Sequence, residues 1–186
     1  MITSFLNKNE LQKLGFKYLG KNVKISRKAS FYEIENISIG DNSRIDDFCI
    51  LSGKINIGSY VHISAYCGLY GSKGIEIEDY SGISAKSIIY SLTDDFSGTF
   101  MVGPEIPKNL TNTTGGKVII KKFAQIGVSN VVFPNITISE GAATGAMTLI
   151  NKNLKEWTIY IGIPAKPLKP RNKNIIELEK KIKKDE

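Results

Sequence analysis

From Ile39 onward a large aliphatic residue opens every sixth position, and the residue four places after it is usually small. Cut at that period, the chain reads IGDNSR IDDFCI LSGKIN IGSYVH ISAYCG, then, after LYGSKGIE with its two extra residues, IEDYSG ISAKSI IYSLTD. The rhythm breaks over 95–117 and resumes as IKKFAQ IGVSNV VFPNIT ISEGAA TGAMTL INKNLK. Ile, Leu or Val opens every unit but one, where Thr144 stands. Ile55, Asn130 and Ile136 are the main exceptions at the small fifth position, which Cys49 and Cys67 otherwise share with serines, alanines and threonines.

A six-residue period drifts around a helix of about 3.6 residues per turn. In a strand, by contrast, positions one and five of a unit fall on the same face. The pattern therefore predicts short strands joined by turns, three walls to an 18-residue coil: a parallel β-helix with aliphatic residues inside and small ones at its narrow corners. Residues 39–150 would supply about six coils, roughly 29 Å of stack at the usual strand spacing. Cys49 and Cys67 read as small core residues.

Both ends read as caps for the open stack. KNELQKLGFKYLG predicts a short amphipathic helix with Leu11, Leu14 and Phe16 apolar, ended by a glycine turn, and RNKNIIELEKKIKKDE predicts a C-terminal helix with Ile175, Ile176 and Leu178 on one side. The expected organisation is one domain: a cap over 1–24, a β-helix over 25–154 carrying the loop 95–117, and a tail over 155–186.

Composition narrows the function classes. No apolar run at the N-terminus is long enough for a signal peptide or a membrane span, and two cysteines make no disulfide framework, so a cytoplasmic location is expected. The net charge of +7 suits anionic ligands such as nucleotides or coenzyme phosphates. The basic residues are not interleaved with aromatics as in a nucleic-acid module, so no nucleic-acid partner is expected. A zinc site of three histidines is excluded, because His62 is the only histidine; no metal is expected.

The segment 95–117, DFSGTFMVGPEIPKNLTNTTGGK, is too long for an ordinary connection inside a compact domain. Its Phe96, Phe100, Met101, Val102 and Ile106 would be wasted in solvent, which predicts that the loop wraps a neighbouring subunit.

The tandem [Ile/Leu/Val]-Gly-x-x-small-x units, the loop after IYSLTDD and the closing GIPAKPLKPR together resemble the hexapeptide-repeat acyltransferases. The likeness is strongest to the galactoside and maltose O-acetyltransferase branch and its relatives that acetylate sugars of surface polysaccharide and lipopolysaccharide. The resemblance implies a left-handed parallel β-helix, a homotrimer with active sites between subunits, acetyl-CoA as donor, and a sugar or nucleotide-sugar acceptor attacking the thioester directly, with no covalent enzyme intermediate. It also implies a coenzyme groove along Gly127 and Val128, Gly145 and Ala146, and Lys152, with a backbone N–H at Gly127 or Val128 receiving the oxyanion. Lys166, Lys169 and Arg171 would hold the coenzyme phosphates.

Where galactoside-type relatives carry the catalytic histidine, this chain has SLTDDF, so Asp94 or Asp95 stands in its place. His62, at an outward sixth position, is expected as the general base, with Ser64 beside it. Discounting the two inserted residues, five walls separate His62 from Asp94, not a multiple of three, so they sit at different corners and would meet only across a subunit interface. There the carboxylate would orient the imidazole. The rival is an aspartate base, since an amine acceptor needs less help than a hydroxyl. Acceptor contacts are expected in SLTDDFSGTF and around Tyr66 and Tyr70. O- and N-acetylation both remain open, as does a non-catalytic scaffold or sugar-binding role; the GIPAK tail and the aliphatic loop, which a bare scaffold does not require, separate these classes.

Overall fold

The computed structural model describes residues 4–182. The chain winds as a three-walled parallel solenoid of six complete turns and part of a seventh. One wall, the first face, stacks Lys24–Ile25, Arg44–Ile45, His62–Ile63, Gly82–Ile83, Gln125–Ile126, Ala143–Thr144 and Thr158–Ile161. The second face runs from Ser30–Tyr32 through Ile88–Tyr90 to Leu149–Ile150, and the third from Tyr18–Leu19 through Val118–Ile120 to Thr137–Ile138. Two long strands, Ile50–Ile57 and Gly68–Ile77, bend from the second face to the third, and the register between them shifts at Gly53.

The hexad explains the walls. Every first-position residue from Ile39 to Ile150 is buried, and so is every fifth-position residue from Ser43 to Ser87 and from Ala124 to Thr148. The fourth position makes the corner. Asn42, Tyr60, Tyr66, Tyr80, Phe123 and Ser129 all take left-handed backbone there, with φ between 56° and 62°. That conformation costs a non-glycine residue about 1–2 kcal/mol. Stacking across coils offsets it: Tyr60 lies on Tyr80 with ring centroids 4.9 Å apart, and Tyr80 on Phe123 at 5.6 Å. Each corner N–H also finds a carbonyl one coil back, as Tyr60 does on Asp41 at 2.8 Å.

The solenoid runs beyond both expected bounds. It begins at Tyr18, inside the segment expected as a cap, because Leu19, Val23, Ile25 and Phe31 already keep the hexad spacing. The N-terminal helix is only Lys8–Gln12, closed by a reciprocal Asn7–Glu10 capping box, so Leu14 and Phe16 fall outside it and pack as side chains on the first coil. At the other end Leu154 bridges to Ile138, and Lys166–Pro170 returns antiparallel along Thr158–Ile161 to close the first face. The C-terminal helix is Ile175–Ile182; the expected helix continued over 183–186, which lie outside the described residues. No helix among the described residues is long and apolar enough to cross a membrane.

The long loop leaves the prism after Ile88–Tyr90, at the corner between second and third faces. Its neck is a two-stranded antiparallel ribbon, Leu92–Asp94 with Thr113–Gly115, and Gly116 N–H closes on the Ser91 carbonyl at 3.0 Å. Beyond the neck Phe96, Phe100, Met101 and Val102 are exposed in the single chain, Phe96 at 79%.

Candidate active site

The first face carries most of the expected chemistry on its outer side. His62 stacks between Arg44 below and Gly82 above. Its side chain is half-exposed and its Nε2 lies 2.8 Å from Asp46 Oδ2, while Arg44 Nε donates to the other oxygen of the same carboxylate at 2.6 Å. The carboxylate that holds the imidazole is thus Asp46, one coil away in the same chain. Asp94 and Asp95, expected to orient it, lie at the loop corner, which in a triangular prism is the corner opposite the first face.

Asp94 and Asp95 are not equivalent. Asp95 Oδ1 accepts from Ser97 N–H at 2.8 Å and its Oδ2 from Asn112 Nδ2 at 3.2 Å. Ser97, with Asn112, holds that carboxyl below the usual range, and its work is to tie the two sides of the loop together. Asp94 is half-buried at the end of the ribbon, and its carboxylate accepts no hydrogen bond among the described residues.

Ascending the first face from His62, the outward positions are Ser64, Gly82, Ser84, Gln125, Gly127, Ala143 and Gly145. Gly127 with Val128 and Gly145 with Ala146 therefore form a shelf of small residues on successive coils. Lys166 and Lys169 stand at the top of the same sheet, paired with Ile161 and Ile159 and exposed. Two other expected coenzyme ligands are elsewhere. Lys152 follows Leu149–Ile150, at the corner opposite the shelf. Arg171 Nη1 is spent on the Phe123 and Gly141 carbonyls, at 2.8 and 3.1 Å, and burial lowers the guanidinium's proton affinity.

Behind the shelf, the small inward residues are hydrogen-bond donors and not merely space-fillers. Cys49 Sγ donates to the Ser64 carbonyl at 3.1 Å and Cys67 Sγ to that of Ser84 at 3.2 Å. Ser87 Oγ does the same for Gly127 at 2.8 Å, and Asn130 Nδ2 for Gly145 at 2.9 Å. The Cys49 contact and burial push the Cys67 thiol up, so it stays protonated and serves as a donor. Ser84, which no motif in the sequence marks, stands outward at a second position on the face of His62. The described residues contain no group of three metal-ligating side chains.

No protein-family model matches the chain. It is 43% identical over 183 residues to a dTDP-4-amino-4,6-dideoxy-D-glucose acyltransferase of Escherichia coli, covering 97% of this chain and 95% of that protein. It superimposes on AntD, an N-acyltransferase from Bacillus cereus in complex with dTDP and 3-hydroxybutyryl-CoA, with a TM-score of 0.96, 50% identity, and 99% and 98% of the two chains covered. D94A and S84A variants of AntD have also been solved, with dTDP and coenzyme A and with dTDP-4-amino-4,6-dideoxyglucose and coenzyme A respectively; each covers 100% of both chains at 49% identity and a TM-score of 0.97. A maltose O-acetyltransferase from Clostridium difficile 630 shares the fold, at 20% identity over 89% of this chain and 75% of its own with a TM-score of 0.61. The chain belongs to the hexapeptide-repeat acyltransferases, and its solenoid is their left-handed parallel β-helix.

Proposed function

We propose that this protein transfers an acyl group from acyl-CoA, acetyl-CoA included, to the amino group of a nucleotide-linked amino sugar, with dTDP-4-amino-4,6-dideoxyglucose as the acceptor to test first. The observation that carries this reading is the end-to-end overlay on an enzyme solved with that acceptor and coenzyme A, combined with Ser84 and Asp94 standing here at the same ordinals as the two residues altered in it. The product would feed surface polysaccharide assembly in the cytoplasm.

Ser84 lies on the first face and Asp94 on the loop at the opposite corner, so a site holding both needs two copies of the chain. This supports a homotrimer in which each loop lays Phe96 and Phe100 against a neighbour and delivers Asp94 to the neighbour's first face. The coenzyme lies on the shelf of Gly127, Val128, Gly145 and Ala146, with Lys166 and Lys169 at its phosphates.

Asp94 orients the sugar nitrogen, which reacts as the neutral amine. It attacks the thioester carbonyl, the C–N bond forms, the proton then shed by nitrogen passes to Asp94, and the C–S bond breaks as the thiolate leaves and takes up that proton. An amine nitrogen becomes strongly acidic once its lone pair is committed, so a carboxylate suffices where a hydroxyl acceptor would call for imidazole. His62 keeps the pairing with Asp46 as a structural contact. Thiol release from acetyl-CoA in the presence of dTDP-4-amino-4,6-dideoxyglucose tests the reading, and silence with this acceptor sinks it. Asp94→Asn should lower kcat/KM by about 10² or more, the usual worth of a positioned proton acceptor, whereas His62→Asn should cost less than about tenfold. The reverse order would return the base to His62.

A further inference from the structure

Two of the residues that break the hexad rule, Thr144 at an aliphatic position and Asn130 as the polar exception at a small one, meet at one place in the structure. On the first face each outward second-position N–H donates to the backbone carbonyl of the first-position residue one coil on: Ser26 to Ile45, Asp46 to Ile63, Ser64 to Ile83 and Ser84 to Ile126. Gly127 should follow with the Thr144 carbonyl. It donates instead to the Thr144 side-chain hydroxyl, at 3.0 Å. The strand pairing reflects this, since only Gln125 and Ala143 are in register there, without the second rung that the coils below possess.

The consequence falls on the Thr144–Gly145 peptide. The Thr144 carbonyl, displaced from the ladder by its own hydroxyl, accepts no hydrogen bond among the described residues. A Cβ on Gly127, which would point outward, would come within 2.6 Å of that oxygen and 2.5 Å of the Gly145 carbonyl oxygen, so the peptide lies directly against the shelf. Asn130 Nδ2 and Thr148 Oγ1 both hold the Gly145 carbonyl, at 2.9 and 3.1 Å, and Asn130 Nδ2 also reaches the Val128 carbonyl at 3.1 Å. Asn130 is fully buried and its Oδ1 has no partner, a cost that an alanine or serine at this small position would not incur.

We propose that Thr144 and Asn130 are positioning residues for the coenzyme: the Thr144 hydroxyl replaces the Thr144 carbonyl in the ladder, leaving that carbonyl as an acceptor for an amide N–H of the pantetheine arm, while Asn130 fixes the following peptide. This rests on the acyl-CoA reading above. A valine at position 144 would restore both the aliphatic rule and the missing rung, so the scaffold alone gains nothing from threonine.

Thr144→Val separates the two roles. Calorimetry with coenzyme A should show Kd raised at least about tenfold, the worth of one lost hydrogen bond, with the melting temperature equal to wild type or higher. Adenosine 3′,5′-bisphosphate, which lacks the pantetheine arm, should bind wild type and variant within twofold, and Thr144→Ser, which keeps the hydroxyl, should bind coenzyme A as wild type does. A Thr144→Val protein that binds coenzyme A within twofold of wild type overturns the inference and leaves the acyl-transfer reading standing. Equal losses for coenzyme A and the bisphosphate overturn it too. Absence of coenzyme A binding by the wild type defeats the acyl-transfer reading, and this inference with it.

Discussion

At Gly141 the corner residue has no side chain, and the reason is visible one coil up. Its φ is +63°, and a Cβ there would sit 2.5 Å from the Trp157 ring, which reaches past Gly141 to Phe123 with ring centroids 6.1 Å apart. Gly141→Ala therefore faces left-handed backbone strain and a displaced indole together. We expect a loss of about 2–4 kcal/mol, combining the two effects, read as a lowered thermal midpoint with coenzyme affinity intact. Tyr80→Ala, on the same aromatic column, removes stacking on both sides and should cost about 1–3 kcal/mol. The glycines of the shelf answer to a different constraint. Gly127→Val would place a branched side chain where the Thr144–Gly145 peptide already lies, so it should abolish coenzyme binding even in molecules that remain folded.

Among the elements, the loop is the one most nearly separable from the scaffold. Its strands pair only with each other, and its neck closes between Ser91 and Gly116, each tied to the walls by one backbone bond, Ser91 N–H to the Tyr70 carbonyl and Asn135 N–H to the Gly116 carbonyl. Replacing 97–110 by two glycines should shift the thermal midpoint by only a few degrees while lowering activity at least about 100-fold, through loss of the loop surface proposed to seat Asp94 on the neighbour. The Asp95 carboxyl is held below its ordinary value, so the loop tie is fully present above about pH 4, the usual aspartate range, and is lost as pH falls through the lowered value. Hydrogen exchange of the loop amides between pH 3 and 6 would show that direction. The walls themselves were legible in the sequence, because Ile39, Ile45, Leu51, Ile57 and Ile63 are inward for the reason that the period implies. The first coil was obscured by Leu11, Leu14 and Phe16, whose spacing mimics a longer helix, and by Phe31 standing where an aliphatic residue was anticipated. Asp46 as the partner of His62 was not legible at all, since only the coil register brings position two of one unit against position six two units later. The partners of Arg171 were hidden for a similar reason: a basic tail residue gives no hint that the chain turns back to present it to the Phe123, Gly141 and Ala142 carbonyls.

For the whole molecule, the proposed site makes assembly and activity inseparable. Sedimentation should give about three times the 20.5 kDa chain mass, and the loop-shortened protein should shift towards monomer. Mixing Asp94→Asn chains with Ser84→Ala chains should restore part of the activity that each lacks, because some interfaces would then pair an intact loop with an intact face. A site contained in one chain would show no such complementation.

The interruption between the fourth and fifth turns bears on how the polymer closes. Most neighbouring rungs are about 18 residues apart along the chain, but Gly82 reaches Gln125 across 43. Loop-closure entropy grows only logarithmically, so that roughly doubled separation costs about 0.6–0.8 kcal/mol. A ribbon of almost any length can therefore be spliced into this seam with little thermodynamic consequence. The loop becomes an exchangeable cassette on a rigid spool, free to diversify while the winding beneath it stays the same.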